Sequence, residues 1–201
     1  MTDTLHKGLE DVLVATSALS HVDGEAGELI YRGYSIEELA AKSSYEEILH
    51  LLCRGSLPTR EELLECTEEM AEQRDLTNHV YEQLRSLAAT DEEPMAALRS
   101  GVSLLSAGEP EQSAEPSDLE ASLRKGRRIA AKIPTLLAAF DRLRRDKEPI
   151  EPRTDLSHGE NFLFMLTGEK PSQVAADTFD MALIIHADHG LNASTFTSRV
   201  I

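Results

Sequence analysis

Helix-start signatures punctuate this chain so regularly that they confine it to a mainly helical fold. A hydroxyl residue followed three positions later by glutamate recurs at Ser35/Glu38, Ser44/Glu47 and Thr59/Glu62. In each pair the hydroxyl is expected to accept from the third helical amide while the glutamate answers back to the cap's own N–H, so two otherwise orphaned donors are satisfied. Gly55 stands where the second of these helices needs a left-handed residue to close, and Pro58 keeps the connection from continuing it.

The same punctuation predicts the remaining elements. Asp75 to Ala89 reads as a helix, and Pro94 opens another at the favoured first position, with Met95, Leu98, Val102 and Leu105 at helical spacing. Leu119 to Arg145 reads as one long helix of roughly 40 Å at about 1.5 Å per residue, with Pro134 expected to kink it because it removes one ladder bond. Ser157 to Leu166, ended by Gly168, and a helix opened by Pro171-Ser172 and running through Val174, Phe179, Leu183 and Ile184 complete the series. Ala107 to Ser117, with two prolines and three glutamates, is expected to be a mobile acidic linker, and Asp146 to Asp155 a second loop. Near the start, Ala18–Val22 and Glu28–Arg32 flank Asp23-Gly24-Glu25-Ala26-Gly27 as a small hairpin, which Tyr31 and Tyr34 are expected to pack onto the helices. The fold class is therefore mainly α with a small N-terminal β-hairpin.

Composition narrows the function classes. With 36 acidic against 20 basic residues the net charge is −16, which opposes nucleic-acid and anionic-membrane partners by long-range repulsion. Only six of the basic residues are lysine, a balance that fits either adaptation to high salt or an ordinary acidic cytosolic protein. No apolar run approaches the roughly 18 residues of a membrane span, and the polar opening Met1–Glu10 lacks the order of a secretory signal, so a soluble cytoplasmic protein is expected. Cys53 and Cys66 have no neighbouring metal-ligand types and are read as reduced thiols. The arginines at 124, 127, 128, 142, 144 and 145 are read as a solvated or dimer-rim face.

Chemistry concentrates in His186-Ala187-Asp188-His189-Gly190-Leu191-Asn192-Ala193-Ser194-Thr195. His186 and His189 share a face if helical, Gly190 marks the helix end, and Asn192 or Ser194 can cap a following helix over Ala193–Ile201. Imidazoles beside the amide-rich start of a helix favour an anion, and a small carboxylate is the natural ligand. Three other readings stay open on residues alone. His186, Asp188 and His189 would make a metal site but lack the i,i+4 spacing of helical zinc motifs. Ser194 or Ser198 with a histidine would make a hydrolase, without a nucleophile-elbow glycine pattern. The third is a helix cap with hydrogen-bonded histidines and no chemistry. His158 is read mainly as a helix-start residue, and His6, His21, His50 and His79 are assigned none.

The motif HADHGLNAST resembles the oxaloacetate-binding motif of citrate synthases. Lys7–Ala40, Ser43–Leu63, Glu93–Ala107, Ala131–Pro152 and Ser157–Pro171 are similar, in order, to segments of the shorter bacterial and archaeal members. The resemblance implies that His189 contacts oxaloacetate, that Asn192 helps arrange the site, and that His186 matches the motif's first histidine. HADH is closer to citrate synthases than to 2-methylcitrate synthases, whose motif usually reads AEH followed by EFN. Glu93 and Gly190 depart from the family's usual histidine and glutamate.

A complete enzyme of this type condenses oxaloacetate, acetyl-CoA and water to citrate and CoA. An aspartate takes a methyl proton, one histidine supports the enol and another polarises the ketone. The resemblance places residues 1–201 in the N-terminal part of the large domain. It puts the catalytic aspartate and histidine, the glycine-rich segment, the substrate-clamping arginines and the small CoA-binding domain beyond Ile201. No catalytic residue, metal or bound cofactor is therefore assigned to the chain, acetyl-CoA is a co-substrate of the complete enzyme, and the chain alone is expected to be inactive. A homodimer is implied, using helices resembling Pro94–Ala107 and Leu119–Arg145 with two from the remainder. The alternative is a non-catalytic helical protein that binds a carboxylate or serves as an assembly partner.

Overall fold

Turn chemistry shapes the N-terminal strands. A computed structural model describes residues 16–107, 115 and 117–200. Strands β1 (Ser20–Asp23) and β2 (Glu28–Tyr31) pair antiparallel with Asp23 opposite Glu28. Asp23 Oδ1 accepts the Glu25 and Ala26 amides, both at 2.9 Å, and these bonds hold its carboxyl below the ordinary carboxylate range. A third strand, β3 (Tyr34–Ser35), follows and enlarges the expected hairpin to three strands in the order β1-β2-β3. Its turn has Arg32 and Gly33 at φ 50° and 94°, the paired positive dihedrals of a tight hairpin turn. Arginine at the first of those positions hid the turn from a composition-based reading.

Helices α1 (Ile36–Lys42), α2 (Tyr45–Arg54), α3 (Arg60–Glu72), α4 (Asn78–Ala89) and α5 (Pro94–Leu104) follow. The reciprocal capping pairs form at Ser44/Glu47 and Thr59/Glu62; at Ser35/Glu38 only the hydroxyl half is made. Thr77, accepting from the Val80 amide, starts α4 three residues later than expected. Beyond the linker come α6 (Leu119–Leu143), α7 (His158–Thr167), α8 (Gln173–Ile185) and α9 (Ala193–Val200). Ser157/Glu160 is a further full capping box, of the same sequence form as the others. Gly55 and Gly168 close α2 and α7 in the left-handed conformation. α6 stays helical on both sides of Pro134. Most of the acidic linker, residues 108–114 and 116, lies outside the described residues.

Two buried clusters organise these elements. Leu76, Val80, Leu84, Ala97, Leu105, Leu136, Ala139 and Phe140 join α4, α5 and α6. Tyr31, Leu39, Ile48, Leu51 and Ile184 join the sheet, α1, α2 and α8. Between α5 and α6 the contact is close because Gly101 has no side chain: a Cβ there would lie 3.0 Å from Leu136 Cδ2. Tyr31 is fully buried as expected, whereas Tyr34, its partner across the turn, is 37 % exposed.

Buried polar groups set the position of α8. The amide of Tyr45, first in α2, donates to Asp180 Oδ2 on α8 at 3.1 Å, and the amide of His158, first in α7, donates to Glu46 Oε1 on α2 at 2.9 Å. Each carboxylate sits at the positive end of a helix from another part of the chain. The His158 ring stacks on Tyr45, with centroids 4.8 Å apart, and burial beside the Arg74 guanidinium pulls it down to about 4, so it is neutral near pH 7. Arg74, 1 % exposed, donates Nη1 to the carbonyls of Arg153 and Leu156, fastening the loop before α7.

Two predictions follow from this packing. Gly101→Val places methyls against the buried Leu136 and should lower stability by about 2 kcal/mol, the usual scale of core overpacking. Urea denaturation would read this as an earlier midpoint, and an unchanged midpoint would contradict the close contact. The second concerns Asp180, whose carboxyl is raised from 3.8 to about 6 by burial and then by the Glu46 charge. Because the folded state holds this proton more tightly than the unfolded chain, the stability linked to it is complete below about pH 4 and lost as pH rises through 6. Asp180→Asn keeps an oxygen for the Tyr45 amide without the charge. It should stabilise the protein near pH 7.5, by on the order of 1 kcal/mol once solvent screening is allowed for. Near pH 4.5 it should change little. A variant less stable than wild type at pH 7.5 would show that the charge is an asset.

Candidate functional site

Helix α8 ends at Ile185, one residue before the first motif histidine, so His186 and His189 lie in the turn beyond it and do not share a helical face. The chain leaves the helix here because the turn is bonded to the sheet. The Asp188 amide donates to the Tyr31 hydroxyl at 3.1 Å, and that hydroxyl lies 3.1 Å from the Ile185 carbonyl and 2.9 Å from the Asp188 carbonyl. Ser20 Oγ donates to Asp188 Oδ2, which also accepts the Gly190 amide at 3.1 Å. Gly190 has φ 86°, a conformation that glycine adopts without a Cβ penalty.

The expected cap of the next helix is in place. Asn192 Oδ1 accepts the Thr195 amide at 2.8 Å and the Asn192 carbonyl accepts that of Phe196 at 2.8 Å, so Asn192 starts α9. Its side-chain NH2 remains as a donor. His186 Nδ1 lies 2.7 Å from the Ala182 carbonyl, an acceptor, which makes Nδ1 the protonated nitrogen and leaves Nε2 for other partners. The His189 ring has no hydrogen bond among the described residues and is exposed. His186, His189, Asn192 and Thr195 line one cleft of about 330 Å³, closed on another side by Ser17 and Leu19.

This arrangement offers donors, two imidazoles and a helix start, the chemistry of an anion site. The Asp188 carboxylate is turned onto Ser20 and Gly190 instead of joining the histidines. Ser198 Oγ donates back to the Ser194 carbonyl at 2.9 Å, as helical serines do, and neither serine meets a histidine among the described residues. Among the described residues no three His, Cys, Asp or Glu side chains gather where they could hold a metal ion.

Other candidate residues lie elsewhere. His158 lines an apolar cavity of about 190 Å³ with Tyr45, Pro134, Phe162 and Phe179. His21, His50 and His79 do not line the 330 Å³ cleft, and His6 falls outside the described residues. Arg127 pairs with Glu69 on α3, Arg144 with Asp91, and Arg145 with Asp141, while Arg142 donates to the Glu148 and Leu166 carbonyls. These four make intramolecular ties, and Arg144 and Arg145 stay solvent-exposed, as expected of a solvated face. Both cysteines are free thiols pushed up by burial, Cys66 to about 11. Among the described residues no helix is long and apolar enough to cross a membrane. Residue-by-residue reading missed Ser20 and the Tyr31 hydroxyl as supports of the motif. Their signal was the hairpin register, which sets Ser20 opposite Tyr31.

Comparison with known proteins extends the geometry. Residues 8–201 match a family profile described as "Citrate synthase, C-terminal domain". The chain is 53 % identical over 201 residues to the citrate synthase of Haloferax volcanii, covering all of this chain and 53 % of that protein. Citrate synthase 2 of Bacillus subtilis is 43 % identical over 98 % of this chain and 52 % of its own length. A 2-methylcitrate synthase of Mycobacterium tuberculosis is 36 % identical over 98 % of this chain and 49 % of its own length. Among solved structures, the citrate synthase of Pyrobaculum aerophilum superposes with a TM-score of 0.89 at 39 % identity, covering 96 % of this chain and 49 % of that one. The chain thus spans about half the length of the curated relatives it matches. A mainly helical array with a small sheet, a profile match from residue 8 onward and this degree of identity establish that the chain belongs to the citrate synthase family.

Proposed function

We propose that the protein carrying this chain condenses oxaloacetate with acetyl-CoA to give citrate and CoA, and that residues 1–201 are the N-terminal part of its large domain, supplying part of the oxaloacetate pocket. The observation that carries the reading is the meeting of His186, His189 and Asn192 in one cleft at the start of α9. Oxaloacetate presents a ketone and two carboxylates. The His189 ring, unengaged among the described residues, can donate to the ketone or a carboxylate oxygen. The Asn192 NH2 and the first turn of α9 can receive the remaining negative charge. His186, which lines the same cleft, is held at Nδ1 by the Ala182 carbonyl and keeps Nε2 for a ligand. Proton abstraction from acetyl-CoA and hydrolysis of the thioester need groups supplied by the remainder of a citrate synthase, with acetyl-CoA as co-substrate, and a cytoplasmic homodimer is the expected assembly. The acetyl over the propionyl substrate is favoured by HADH at 186–189 and by the higher identity to proteins named citrate synthase than to the 2-methylcitrate synthase.

Calorimetric titration of oxaloacetate into the complete protein that carries this chain tests the pocket. His189→Ala removes a hydrogen bond to a charged ligand, about 1.5 to 3 kcal/mol, and should weaken binding by roughly one to two decades. His79→Ala, on the exposed face of α4, should change nothing. A zinc chelator should leave the binding intact. Equal, small effects of the two substitutions would remove His189 from the site, and loss of binding on chelation would turn the motif into a metal site.

A further inference from the structure

We propose that Tyr31 is a positioning residue of this pocket: its hydroxyl, supported by Ser20, holds the 185–190 turn so that both motif histidines face the cleft. The proposal rests on the reading of that cleft as an oxaloacetate site.

The ring of Tyr31 is 0 % exposed and packs in the same cluster as Leu39, Ile48, Leu51 and Ile184, with Ala187 of the turn against it. Its hydroxyl therefore has a fixed address. It accepts the Asp188 amide, while its single proton lies between the Ile185 and Asp188 carbonyls. Those are the residues immediately before His186 and immediately before His189. Across the hairpin, Ser20 stands opposite Tyr31 and donates to the Asp188 carboxylate, whose same oxygen takes the Gly190 amide. The turn is thus pinned at its start, middle and end by two adjacent hairpin residues more than 150 positions away in sequence. Neither side chain lines the cleft. Their role is to set backbone direction, and imidazole aim follows backbone direction because the Cα–Cβ bonds are fixed by it. A hydroxyl-free ring would fill the same space but leave the Asp188 amide, partly buried, without its acceptor.

The test uses the complete protein that carries this chain, with wild type, Tyr31→Phe, Ser20→Ala and Ser20→Thr compared. The readouts are oxaloacetate affinity, the histidine ring resonances and exchange of the Asp188 amide. Tyr31→Phe should retain the wild-type circular dichroism. It should weaken oxaloacetate about five- to ten-fold, corresponding to one or two hydrogen bonds, shift the His186 and His189 signals, and speed Asp188 exchange about ten-fold. Ser20→Ala should move the same readouts less, and Ser20→Thr, which restores a hydroxyl, should return them toward wild type. A purely structural contribution would lower the melting temperature while leaving affinity and the histidine signals in place, and that result overturns the proposal. If wild type itself fails to bind oxaloacetate, the pocket reading fails. The hold of Tyr31 on the turn is then decided by the ligand-free protein, where unchanged Asp188 exchange and histidine signals in Tyr31→Phe overturn it.

Discussion

Two first-turn amides answered by carboxylates from distant helices hold the arrangement on which the site depends. Glu46 takes the amide that opens α7, and Asp180 takes the amide that opens α2. Because Glu46 itself lies in the first turn of α2, these bonds link α7 to α2 and α2 to α8 in sequence. A helix start leaves N–H groups without intrahelical partners, and a buried start without an acceptor is costly. The cost on the other side is that of keeping carboxylates out of water, visible in Asp180, which is raised to about 6 and has Oδ1 buried without a partner among the described residues. Such a balance contributes little net stability but fixes geometry strongly, since sliding α8 along α2 would expose one unanswered amide and one unanswered charge together.

The consequences run toward the cleft. With the start of α8 capped by Ser172 and its middle held at Asp180, its last turn carries Ile184 into the cluster that also contains Tyr31. That contact brings the Tyr31 hydroxyl to the carbonyl of Ile185 and the amide of Asp188. The hairpin, which buries little by itself, thereby becomes a bracket between the helical body and the motif. Asn192 then starts α9 on the far side of the turn, so one short segment is tied to the sheet before Gly190 and to a new helix after it.

Most helices were legible because their signals are local. Ser44, Thr59, Gly55, Pro94 and Gly168 act within a few residues of themselves, and each does what its neighbourhood implied. The motif was legible for the same reason, down to Asn192 as a cap. What stayed hidden depended on partners distant in sequence. Nothing near Glu46 distinguishes a buried acceptor for α7 from the capping glutamate beside it, and nothing near Arg74 announces that it bonds the Arg153 and Leu156 carbonyls. The shared helical face expected for His186 and His189 failed on the same ground. Spacing alone allowed a helix there, but Tyr31 and Ser20, from the opposite end of the chain, hold a turn.

The chain's acidity raises a last question, since a net charge of −16 opposes the approach of a dianion. The opposition is long-ranged, and at physiological ionic strength charges farther apart than about 8 Å are largely screened. What decides binding is therefore the local field. The carboxylate in the motif itself, Asp188, is held by the Ser20 hydroxyl and the Gly190 amide, both donors, so its charge is partly answered before any ligand arrives. The same cleft is lined by His186, His189 and Asn192 at the start of α9, whose partial positive charge is felt within the first turn. The bond from Ser20 to Asp188 consequently does two things: it ties the turn to the hairpin, and it sets a hydroxyl donor against a carboxylate that borders the cleft.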